Sequence, residues 1–310
     1  MATNSNFTRD LLTGTEWTPA QMRELCQLAA DIKARPDGYR SALAGRYLAL
    51  IFEKPSLRTR VTFEVGIQSM GGGATFLDHS GARLGARESI KDVAKNLERW
   101  VHAIVARTFE QEAIEELAAH AAIPVINALS DRYHPCQALA DFFTLEEHFG
   151  NLKGLRLAYV GDGNNVCHSL LHAGARVGAH IRVATPEGYE PDAAVVAEAR
   201  QAARETGADV EIMRSPQEAV NGVQAVYTDV WASMGQEQEA VEREKLFAPY
   251  QVNEALMAHA APDAVFLHCL PAHRGLEVTD AVIDSPQSIV YDEAENRLHV
   301  QKAILLKLLG

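Results

Sequence analysis

The segment Ser56-Leu57-Arg58-Thr59-Arg60 places a hydroxyl and two guanidiniums after the apolar run 47–52 and the breaker Pro55. It precedes Val61, Phe63, Val65 and Ile67, which read as apolar positions of an opening helix. The first backbone N–H groups of a helix lack intrahelical acceptors and carry partial positive charge, so such a turn suits phosphate or another compact oxyanion. Arginine adds a fork of donors matched to phosphate oxygens. The same residues also describe a Ser-capped helix with two surface arginines, so the rest of the chain must decide.

Other segments carry reactive side chains where a short apolar run ends. Arg107-Thr108 closes the run 103–107. In Asp131-Arg132-Tyr133-His134-Pro135-Cys136-Gln137, Pro135 suits the first helical position, which puts His134 near a cap and Gln137 in the first turn. An imidazole and an amide there can donate to a carbonyl oxygen. The turn Gly161-Asp162-Gly163-Asn164-Asn165-Val166 carries two glycines of a dinucleotide fingerprint. Val166 stands where the third should be, and Thr185-Pro186 follows the next strand in place of an acidic residue, which argues against NAD. Its glycines still bring a helix start close to a ligand, with Asn165 offering donor and acceptor. Asp229-Val230-Trp231-Ala232-Ser233-Met234-Gly235 combines a carboxylate, a hydroxyl and a flexible loop, a set that can grip an ammonium and close over it. Cys269 ends the run 265–268 beside the Leu270-Pro271 bond. A buried structural thiol is the plain alternative there, and His268, Cys269 and His273 lack the paired spacing of a structural zinc site.

These segments need elements that hold them. Apolar runs at 47–52, 74–77, 103–107, 124–127, 155–160, 180–184, 210–213, 225–228, 265–268 and 289–291 read as strands. Between them, Ile90, Val93, Leu97 and Val101, and Ile114, Leu117 and Ala121, recur at helical spacing. Strand–helix alternation of this kind predicts an α/β fold of mostly parallel sheets flanked by helices, with ligands beyond the carboxyl ends of strands. A length of 310 residues favours two domains. We place them at residues 1–149 and 150–293, with a last helix over 294–310 packing back on the first. The net charge of −12 argues against nucleic acid, and four scattered cysteines without a CxxC pair fit a reducing cytoplasm. No apolar run is long enough to span a bilayer, and no leader precedes the first domain, so no membrane partner is expected.

Taken together and in this order, 52–60, His134-Pro135-Cys136-Gln137, Asp229-Val230-Trp231-Ala232-Ser233-Met234-Gly235, His268-Cys269-Leu270-Pro271 and Glu295-Asn296-Arg297 closely resemble the ornithine carbamoyltransferases. The resemblance covers essentially the whole chain. The first two pieces are shared with aspartate carbamoyltransferases, and the Ser-Met-Gly and His-Cys-Leu-Pro pieces select ornithine. It implies carbamoyl transfer from carbamoyl phosphate to L-ornithine in arginine metabolism. It also implies an active site in a cleft between two α/β domains, a homotrimer or multiple of trimers, and neither metal nor organic cofactor. By the resemblance, Ser56, Leu57, Arg58 and Thr59 hold the phosphate, Leu57 through its backbone. Arg107, His134 and Gln137 hold the carbamoyl group, and Cys269, Leu270 and Arg297 complete that site. Asn165, Asp229, Ser233 and Met234 bind ornithine. Arg58, Arg107, His134, Asp229 and Cys269 are the expected catalytic groups. Two residues depart from the family pattern: Leu57 replaces a commoner Thr, and Arg83 falls where many members carry a Gln that helps bind carbamoyl phosphate.

Overall fold

The computed structural model describes residues 7–232 and 240–310. They form two compact units, residues 1–140 with 295–310, and residues 141–294. The first holds α1 (Pro19–Ala34), β1 (Tyr47–Phe52), α2 (Arg58–Ser69), β2 (Gly73–Asp78), α3 (Ile90–Leu97), β3 (Ala103–Arg107), α4 (Gln111–His120) and β4 (Val125–Leu129). Helix α5 (Pro135–Phe149) starts in this unit and passes into the numbering of the second. The second unit holds β5 (Arg156–Val160), α6 (Asn165–Val177), β6 (His180–Ala184), α7 (Ala193–Thr206), β7 (Val210–Met213), α8 (Pro216–Val220), β8 (Ala225–Tyr227), α9 (Ala240–Phe247), α10 (Glu254–Met257), β9 (Val265–Leu267) and α11 (Asp280–Ile283). Helix α12 (Val290–Leu309) begins there, and its residues from Glu295 on count with the first unit.

Each unit is built on one parallel sheet, in the order β2-β1-β3-β4 in the first and β7-β6-β5-β8-β9 in the second. Strands covered on both faces must be apolar throughout, which is why β1 and β3 read as continuous hydrophobic runs. Ile51, Ile104 and Leu117 centre the core of the first unit, and Val160, Val226, Phe247 and Phe266 that of the second. Strand order reverses between β1 and β3, and again between β5 and β8. At such a reversal the connecting helices leave on opposite faces and open a crevice beyond the strand ends. The reactive segments after β1, β3, β5 and β8 stand at these two reversals.

One expectation is corrected and one is refined. Residues 289–291 form no strand: Ser288 makes a single bridge to Phe266, and α12 begins at Val290. A short apolar run has no period by which to tell a strand from the first turn of a buried helix. The apolar positions of α2 also divide. Phe63 and Ile67 are buried, whereas Val61 and Val65 are each 44% exposed, on the face that also carries Leu57 at 73%. A spacing of four keeps 57, 61 and 65 on one stripe, which lies away from the core.

Candidate active site

In the first unit the Ser56 turn leaves the carboxyl end of β1. Helix α2 starts at Arg58, and the Ser56 hydroxyl accepts from the Thr59 N–H at 3.3 Å. The backbone of Glu53 donates to the Arg107 carbonyl at 2.8 Å, so the ends of β1 and β3 stay joined. The buried Glu53 side chain then accepts from the N–H of Leu84 at 2.6 Å and of Phe109 at 2.8 Å. One carboxylate thereby ties the segment after β2 to the segment after β3.

Arg107 is buried at the end of β3, where the register with β4 shifts. His134 and Gln137 are buried at the start of α5, with Pro135 as its first residue, as the sequence predicts. The pKa of His134 lies well below the ordinary imidazole value, first through burial and then through the positive charges of Arg297, Arg107 and Arg58. The imidazole is therefore neutral at physiological pH, and the charges bearing on it are all guanidinium. Arg297, on α12, is 2% exposed. Its Nη1 donates to Gln137 Oε1 and its Nη2 to Thr59 Oγ1 at 3.0 Å, and its Nε has no partner. These partners are neutral, and among the described residues no carboxylate pairs with this buried cation. Burying a charge in this way is costly unless an anion joins it. Ser56, Leu57, Arg58, Thr59, Arg107, His134, Gln137 and Arg297 thus all belong to one unit, and Arg58, Arg107, His134 and Arg297 share one electrostatic environment. Cys136 is structural: its thiol donates to the Asn127 carbonyl at 3.4 Å, and burial pushes its pKa up to about 12.

Arg83 lies at the surface of the first unit. Its Nη1 donates to Glu110 at 2.6 Å, and its guanidinium lies 4.7 Å from the Phe109 ring centre. Lys54 covers the same ring at 4.4 Å and pairs with Asp131.

In the second unit, the turn after β5 and the ends of β8 and β9 converge on Asp229. Asp229 Oδ1 accepts from the Val230 N–H at 2.8 Å and the Cys269 thiol at 3.1 Å, and Oδ2 accepts from Asn164 Nδ2 at 2.8 Å. The Cys269 pKa lies well above the ordinary thiol value, chiefly through burial and then through the negative charges of Asp229 and Glu293, so the sulfur keeps its proton. Leu270 follows at φ +56°, its N–H donating to His268 Nδ1 at 2.9 Å, and the Leu270–Pro271 peptide is cis. Glu293 accepts from the Tyr227 hydroxyl at 3.1 Å and from the His268 N–H at 2.9 Å, joining the ends of β8 and β9. Asn165 is the first residue of α6 and is half-buried. Ser233 and Met234 lie outside the described residues.

The glycine turn is filled by the protein itself. A Cβ on Gly163 would stand 2.2 Å from the Pro191 nitrogen, so the close approach that glycine permits is used by the chain's own backbone. Sequence reasoning passed over Asn164 for Asn165. Asn164 is the N-cap of α6 as well as the partner of Asp229. The signal was present, since Asn before a helical run is a favoured cap. Arg243, on α9, was also missed; it donates to Asp162 and to the Trp231 carbonyl, each at 2.9 Å. His268, Asp229 and Cys269 offer atoms within 4.8 Å of one another, a closer set than the His268, Cys269 and His273 of the sequence.

The family model described as the aspartate/ornithine carbamoyltransferase carbamoyl-P binding domain matches residues 9–147, and the Asp/Orn binding domain of that family matches residues 153–308. An ornithine carbamoyltransferase of Pyrococcus abyssi is 52% identical over 307 residues, covering 97% of this chain and 96% of its own. That of Anoxybacillus flavithermus is 53% identical over 303 residues, with 97% and 96% covered. The solved ornithine carbamoyltransferase of Pyrococcus furiosus superposes with a TM-score of 0.96 at 51% identity, covering 99% of each chain. With both domains matched along nearly the full length, the chain belongs to the aspartate/ornithine carbamoyltransferase family.

Proposed function

We propose that this protein transfers the carbamoyl group of carbamoyl phosphate to the side-chain amine of L-ornithine, giving L-citrulline and phosphate in arginine metabolism. The observation that carries the reading is the buried Arg297, held by Gln137 and Thr59 with no carboxylate among the described residues, beside a neutral His134 under the charges of Arg58 and Arg107. Such a place takes a small anion that also carries a carbonyl. The phosphate end lies against the turn of Ser56, Leu57, Arg58 and Thr59, where each charge-assisted hydrogen bond contributes about 1.5–3 kcal/mol. Arg107, the N–H of neutral His134 and the Thr59 hydroxyl serve the carbonyl oxygen as charge develops on it. The oxygen of Gln137 faces Arg297, so its amide orientation is set before substrate arrives.

Ornithine is held by Asn165, Asp229, Ser233 and Met234. Its side-chain amine must be neutral to attack, and if it resembles lysine this costs roughly 4–5 kcal/mol at pH 7. Asp229 and Cys269 orient the amine. Because Cys269 retains its proton, direct attack by the amine is favoured over a covalent thiol intermediate. The protein works in the cytoplasm as a homotrimer or multiple of trimers, a reading supported by the exposed stripe of Leu57, Val61 and Val65. Citrulline formation by the purified chain from carbamoyl phosphate and ornithine tests the assignment, with putrescine as competing acceptor. Preference for putrescine would reassign the acceptor, and absence of any carbamoylated product would overturn the reading.

A further inference from the structure

We infer that Asn164 is the positioning residue for ornithine: its carboxamide, locked by the start of α6, holds the Asp229 carboxylate in the orientation that receives the amino-acid substrate. The inference deepens the proposed function and rests on Asp229 binding ornithine.

The partners of the Asn164 amide distinguish its two ends. Asn164 Oδ1 accepts from the N–H of Val166 at 3.0 Å and of Cys167 at 3.1 Å, and from the Tyr159 hydroxyl at 3.2 Å. Three donors converge on that atom, two of them backbone groups that can only donate, so it must be the oxygen. The NH2 then has one direction, and it meets Asp229 Oδ2 at 2.8 Å. The other oxygen of Asp229 is taken by the Val230 N–H and the Cys269 thiol. Rotation of the carboxylate about its own axis would break contacts on both sides. The lock is rigid at its base, because Asn164 follows Gly163, whose backbone is pressed against Pro191. Tyr159, at 0% exposure on β5, fixes the amide from beneath. A helix cap that used only its oxygen would fully explain an Asn, Ser or Asp here; the NH2 aimed at Asp229 is what a cap alone does not require.

Two variants separate these roles. Asn164→Asp keeps a strong capping oxygen and nearly the same shape, but sets an oxygen where the donor to Asp229 was. Asn164→Ser keeps a cap and removes the donor without adding charge. Asp229→Asn is the reference for the site. The expected result is a ratio of kcat to KM for ornithine lowered roughly ten- to a hundredfold in Asn164→Asp and about tenfold in Asn164→Ser. The half-saturation concentration for carbamoyl phosphate stays within about twofold, and the unfolding temperature stays near that of the parent because the cap persists. Lowered unfolding temperature with unchanged ornithine kinetics in both variants would reduce Asn164 to a cap and overturn the inference. Unchanged ornithine kinetics in Asp229→Asn would instead overturn the placement of ornithine itself.

Discussion

At the scale of single residues, chemistry in this protein is set by which groups are denied a charge. His134 is buried and feels the positive charges of three guanidiniums, so its imidazole is neutral. The sign of its contribution to stability follows. The unfolded chain takes up a proton near the ordinary histidine pKa of about 6.5 and the folded chain does not, so stability falls as pH drops below that value, by about 1.4 kcal/mol per pH unit from this group. Replacing His134 with Gln should flatten that slope, measured as unfolding free energy from pH 7 to 5. Arg58→Ala should lower the ratio of kcat to KM by roughly a hundred- to ten-thousandfold with the unfolding temperature preserved, since about two charge-assisted bonds to phosphate are lost. Near-parental turnover would contradict the phosphate assignment. Ser233→Ala should raise the KM for ornithine more than that for carbamoyl phosphate; the reverse would mean that the two substrates are exchanged.

At the scale of elements, residue types at strand ends were more legible than their division of labour. The apolar runs 47–52 and 103–107 coincide with β1 and β3, because strands buried on both faces leave a nearly unbroken hydrophobic signature, while 180–184 and 210–213 coincide with β6 and β7 although His180, Arg182 and Glu211 interrupt them. His134 and Gln137 were readable from Pro135 marking the first turn of α5. The run at 289–291 misled because Ile289 and Val290 are β-branched and adjacent, although they serve the start of α12. Arg297 could be named from the resemblance, but its tie to Gln137 and Thr59 joins positions remote in sequence, and no local pattern encodes that. Glu53 lies in the piece that carries the resemblance, but its role was not readable locally: it accepts from two backbone N–H groups of distant segments. Glu53→Gln sets an NH2 against one of these donors and should cost about 1–3 kcal/mol in denaturant unfolding, because a buried N–H then goes unsatisfied. A loss below a few tenths would show that water replaces the carboxylate there.

At the scale of the whole molecule, the net charge of −12 coexists with a concentrated patch of arginine in the first unit, so overall charge says little about which ligand is drawn in. The outward stripe of α2 is an exposed apolar feature that burial within the chain leaves unexplained. Val61→Asp should shift sedimentation toward smaller species while circular dichroism stays unchanged; an unaltered sedimentation profile would overturn the proposal that this stripe packs against another subunit. The tie of Arg297 to neutral partners reaches furthest. Among the described residues no carboxylate answers this interior cation, so a dianion bound beside it would also complete the core. Carbamoyl phosphate, and more weakly inorganic phosphate, should raise the melting point with no ornithine present, in proportion to the logarithm of concentration above the dissociation constant. Resistance to proteolysis should climb in step, which would make the persistence of the enzyme a readout of how much carbamoyl donor surrounds it.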